Sequence, residues 1–100
     1  MLNLTNQFRN VVNKYIETKK ITHEEIVKMC DTTLEMTDIV RGEDLPLVSK
    51  ATAFLVLVSK YNNSNPNDIE IINGLKLVYN TEVVPALNNL EAKYCVRSLA

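Results

Sequence analysis

Leu4, Phe8, Val11, Val12, Tyr15 and Ile16 recur at steps of three and four, while Asn6, Arg9, Asn10, Asn13 and Glu17 fill the opposite arc. This periodicity predicts an amphipathic first helix. Thr22 stands three residues before Glu25, the capping-box spacing, in which each side chain satisfies a backbone N–H left unpaired at a helix start. A second helix is predicted from about residue 23 to Val40. Its buried stripe is Ile26, Cys30, Thr33, Leu34 and Thr37, flanked by Val27 on one side and by Met29, Met36 and Val40 on the other. Glu24, Lys28, Asp31, Glu35 and Asp38 take the solvent face, and Gly42 is placed to close the helix in a left-handed cap.

Residues 45–61 carry so many apolar positions at helical spacing that no properly charged face is left for water. This third helix is therefore expected at the centre of the fold, with Asp44 as its N-cap and Pro46 in a first turn where no N–H is missed. Leu47, Val48, Ala51, Phe54, Leu55, Leu57, Val58 and Tyr61 form its broad apolar face. Ser49, Thr52, Ala53, Val56 and Lys60 form the other face, which is small and nearly uncharged. Asn62-Asn63-Ser64-Asn65 reads as a loop, and Asn65, Pro66 and Asp68 as the start of a fourth helix.

Residues 69–79 fit two patterns. Asn73-Gly74 could join two strands in a hairpin, but then Ile71 faces Lys76 and Glu70 faces Leu77, which mixes charge into each apolar face. As a helix, Ile71, Ile72, Leu75, Val78 and Tyr79 share one arc, with only Ile69 and Leu77 out of place. Helix is preferred, at a cost of about 1 kcal/mol for an interior glycine. A break near Asn80-Thr81 precedes a last helix with Val83, Val84, Leu87, Leu90 and Tyr94 on one face; Pro85 marks its start or a kink, and Val96 and Leu99 lie off the stripe. The expected fold is all-α: one helical domain spanning residues 1–100, a bundle of four to five helices with helix 45–61 central. The alternative is α+β with a hairpin at 69–79.

Composition narrows the function classes. At 100 residues and 46% hydrophobic, the chain can form one packed core. Eleven basic and twelve acidic residues are interspersed and give a net charge of −1, unlike the dense basic face of a nucleic-acid binder. Lys14, Lys19 and Lys20, diluted by Glu17, read as a solvated helix end. Residues 53–58 form the longest apolar run, far short of the roughly 20 needed to span a bilayer. The first residues lack a basic start and apolar core, so no secretory signal is expected and a cytoplasmic setting is. Asparagine at twelve positions, with glycine and tryptophan scarce, is a bias associated with AT-rich genomes such as those of many phages and some bacteria.

Little in the sequence carries chemistry. His23 is followed by two glutamates, but the zinc-protease helix motif needs a second histidine where Val27 stands. Cys30 and Cys95 follow no metal-ligand spacing and are expected as buried thiols, with an interhelical disulfide as the alternative. With one histidine, an activating base for Ser, Cys or Thr is missing. Asp31 with Glu35 and Glu43 with Asp44 fall on predicted solvent faces or loops, and two glycines cannot make a phosphate-binding loop. No catalysis, cofactor or metal is expected.

What remains is surface. The Ser49, Thr52, Ala53, Val56, Lys60 face is expected either to be covered by another helix of the same chain or to bind a second copy or a partner protein. Met29, Met36 and Ile39 form a second edge, suited to adaptable contacts or to plain core. The leading expectation is a non-enzymatic interaction protein, homodimeric or regulating a partner by binding. The alternative is a DNA-binding transcriptional regulator, for which the third helix offers little basic density.

Overall fold

The structure, a computed structural model, describes residues 1–64 and 69–94. Among these residues five helices follow one another: α1 Leu2–Thr18, α2 His23–Ile39, α3 Leu45–Ser64, α4 Ile69–Val78 and α5 Val84–Tyr94. A short 3₁₀ turn, Gly42–Asp44, leads into α3, and a π turn, Tyr79–Val83, joins α4 to α5 without interruption. Residues 69–79 are therefore helix and turn, not a hairpin, and no strand occurs among the described residues. The fold is the all-α bundle expected.

Local signals account for the end of α1 and the start of α2. Lys19 ends α1 in the left-handed region, φ 61°, with its N–H on the Tyr15 carbonyl. Thr22 and Glu25 form the full capping box, with both bonds at 3.0 Å. The α2 terminus departs from expectation: Val40 is extended, and Gly42 opens the 3₁₀ turn without a positive φ. α3 runs on through Asn62 and Asn63 to Ser64, where a loop was expected. The proposed start of the fourth helix at Asn65, Pro66 and Asp68 lies outside the described residues, as do Cys95, Val96 and Leu99.

The π turn replaces the break expected near Asn80. Leu75, Tyr79, Val83 and Leu87 are all buried at four-residue steps. Over three such steps a strict α-helix drifts by about 120°, and one extra residue in a widened turn recovers about 100° of this. The Val84 N–H reaches back five residues to the Tyr79 carbonyl, and the wide turn gives the Pro85 ring room beside the Thr81 carbonyl that an α-turn would crowd.

α3 is central. It packs against α2, α4, the π turn and α5, while α1 closes the bundle against α2 and α5. Phe8, Val12, Tyr15, Met29, Met36, Phe54, Val58, Leu87 and Leu90 are almost fully buried. The Phe54 and Tyr79 rings meet at 5.5 Å, tilted by 41°. α2 is rotated from the predicted phase: Met29, Thr32, Thr33 and Met36 face inward, whereas Leu34 is 63% exposed. Asp38 follows Leu34 by one turn on the same side, so burying the leucine would draw that carboxylate toward the core. The buried threonines tolerate their position because Thr32 donates to the Lys28 carbonyl at 2.9 Å and Thr33 to that of Cys30 at 2.8 Å.

Candidate functional site

α2 and α3 run antiparallel. Thr37, near the end of α2, lies beside Leu45 and Val48 at the start of α3, and Ile26 and Cys30 lie beside Leu55, Ser59 and Lys60 near its end. The seam between them opens outward as two adjoining depressions of about 380 and 400 Å³, which share Thr52 and Val56. Val56 is 62% exposed at their junction.

Ser49, Thr52, Ala53, Val56 and Lys60, the face predicted on the third helix, are all exposed. No other described helix covers them. Among the described residues the covering helix expected as one alternative is absent, because the opposite side of α3, with Ala51, Phe54 and Val58, takes up the packing against α4 and α5. The Thr52 hydroxyl donates to the Val48 carbonyl at 3.2 Å, so it adds little free polarity. α2 extends the surface with Val27, Cys30 and Leu34, each exposed. These were assigned to or beside the core stripe, and the rotation of α2 brings them to the surface. The exposed thiol corrects the expectation that Cys30 is buried.

On the second predicted edge, plain core, one of the two alternatives for its methionines, is what the structure shows. Met29 and Met36 are core residues, 2% and 0% exposed, because the rotation of α2 turns them inward. Ile39 is exposed, but five residues from Leu34 it points about 140° away from the α2–α3 face.

Charge borders this face unequally. Beyond Val27 and Leu34, the outer edge of α2 carries exposed Glu24, Asp31 and Asp38. The α3 edge carries Lys60, its Nζ 5.7 Å from the Tyr61 ring centre, and Lys50, paired with Glu82 at 3.4 Å. Among the described residues Glu24, Asp31, Asp38 and Lys60 have no ion-pair partner. An acidic edge beside a sparse basic one is poorly suited to phosphates.

The engaged charges instead tie the helices together. Arg9 of α1 bonds Glu91 of α5 and donates to Asn88 Oδ1 at 2.7 Å, while buried Thr5 donates to Glu91 at 2.5 Å. Burial pushes the Glu91 carboxyl up, but the Arg9 and Thr5 hydrogen bonds and the Arg9 charge outweigh it and hold it below its usual value. Asp44, expected on a solvated turn, is buried. One of its oxygens accepts from Lys93 at 2.6 Å and the other from the Tyr94 hydroxyl. The Lys93 hydrogen bond, then that of Tyr94, lowers the Asp44 carboxyl from its ordinary value.

A further recess of about 300 Å³ between α3 and α4 is lined by Leu57, Tyr61, Ile71, Gly74, Leu75 and Val78, with few polar groups to orient a ligand. His23 is exposed in the first turn of α2. Among the described residues no three His, Cys, Asp or Glu side chains come together to hold a metal, and no helix is long and apolar enough to cross a membrane. Compared with known proteins, the chain matches no family model, and neither a curated protein nor a solved structure is significantly similar to it.

Proposed function

We propose that this chain is a small non-enzymatic interaction protein that acts by docking the outer face of α2 and α3 onto another protein surface, either a second copy or a partner whose activity it regulates. The carrying observation is the pair Leu34 and Val56, each more than 60% exposed on neighbouring helices, with an uncharged strip between them. Exposed apolar surface rimmed by polar residues is characteristic of protein contact sites. The carboxylates with displaced pKa values, Glu25, Asp44 and Glu91, cap a helix or bridge helices and do not converge on a cleft. A reducing, cytoplasmic setting suits the exposed Cys30 thiol, and the asparagine-rich composition suits a phage-like genome.

The test is site-specific photocrosslinking in cells that make the native protein, with the photoreactive residue at Val56 or, as control, at exposed Asn13 of α1. Discrete protein adducts from position 56 and none from position 13 are expected. Equal or absent adducts at the two positions overturn the assignment. A salt-sensitive shift of duplex DNA would instead favour transcriptional control.

A further inference from the structure

We infer that the occupant of the α2–α3 face is a second copy of this chain, related by a twofold axis that runs along the seam between the two helices. This rests on the reading of that face as the interaction surface and adds the partner and its orientation. Two arrangements bring the faces together. An axis across the seam sets each α2 edge against its own copy and opposes Glu24, Asp31 and Asp38 to themselves. An axis along the seam sets α2 of one copy over α3 of the other, so that the acidic edge meets the lysine edge.

The heights along the helices match in this second arrangement. Because Ile26 lies beside Ser59 and Thr37 beside Val48, Glu24 is level with the last turns of α3, which carry Lys60. An axis parallel to the seam preserves that level, and Glu24 of each copy faces Lys60 of the other. Both side chains lack an ion-pair partner among the described residues. Beyond this charged end, Val27 and Leu34 of one copy meet Ala53 and Val56 of the other, with Asp31 and Asp38 along the outer border of the contact.

The size of the face sets the strength. A 17-residue helix is about 26 Å long, and two helices side by side present a strip about 20 Å wide. The strip corresponds to about 1,000 Å² buried in total, at the lower limit for a specific interface. The dimer is therefore reversible and depends on protein concentration.

Charge reversal tests the arrangement by analytical ultracentrifugation. Glu24→Lys and Lys60→Glu should each weaken self-association, by about tenfold, because each places like charges at both contacts. An equimolar mixture of the two variants restores opposite charges at both contacts and should recover the wild-type constant to within about twofold. Val56→Glu should abolish association with helicity unchanged, since that position is exposed in the monomer. A wild-type chain that stays monomeric at the highest attainable concentration overturns the second copy as occupant, while the crosslinks from position 56 decide the broader reading separately. Loss of association in Val56→Glu with no response to either charge reversal keeps the face and overturns the symmetry. Association that survives Val56→Glu overturns both.

Discussion

Asp44 holds the corner between α2 and α3 to the last helix through both carboxylate oxygens. Lys93 takes one and Tyr94 the other, and the Tyr94 hydroxyl also accepts the Arg41 N–H at 3.0 Å. Since these bonds lower the folded-state pKa of Asp44, its contribution to stability is complete above the ordinary aspartate value, near ~3.9, and fades as pH falls through the lower folded value. Asp44→Asn should therefore melt below the wild type at pH 6, with the gap closing toward pH 2. A melting-temperature difference that does not change with pH would sink this account. The capping box gives a second expectation: Thr22→Ala, which removes the acceptor for the Glu25 N–H, should cost about 1 kcal/mol. That corresponds to a fall of about 4–8 °C in Tm, measured by circular dichroism. The two sites differ in how they can be read. Thr22 and Glu25 act on backbone three residues away, so their spacing alone reveals the motif. Asp44 is defined by residues 49 and 50 positions later, whereas its neighbours in sequence suggest an N-cap on a polar turn.

Gly74 lies inside α4, and a Cβ added there would have nothing within 4 Å. It has no steric reason to be glycine, so Gly74→Ala should raise stability by about 1 kcal/mol; an unchanged or lowered midpoint in urea would contradict this. The same glycine made the segment ambiguous in sequence, where Asn73-Gly74 suggests a turn, and the facing pattern of Ile71, Ile72, Leu75, Val78 and Tyr79 resolves it. Helix identities were legible because apolar spacing is a local property. Two features were not. The phase of α2 depends on what lies opposite: the arc that runs from Met29 and Met36 round to Leu34 is free of charge, and only packing against α1 and α3 selects the methionine side. The π turn was hidden because Asn80-Thr81 and Pro85 suggest an interruption, although the four-residue steps from Leu75 to Leu87 already carry the excess that a wide turn absorbs. The exposed α3 face was visible as an uncharged strip, but whether another helix covers it is a question of topology.

At the scale of the whole molecule the bundle is a short rod, 45 × 23 × 21 Å, with a radius of gyration of 13.6 Å. The α2–α3 seam runs along helices 17 and 20 residues long, so a contact along it joins two rods by their sides. Two copies with centres about 20 Å apart have a radius of gyration of about 17 Å, whereas two copies joined end to end reach about 26 Å. Small-angle scattering across a concentration series can resolve that difference even for a weak dimer, because the extrapolated radius rises from the monomer value toward one limit or the other. A limit near the smaller value is expected, with Val56→Glu holding the chain at the monomer radius throughout. A rise toward the larger value would place the contact at the ends of the bundle and leave the apolar strip between α2 and α3 for a different protein.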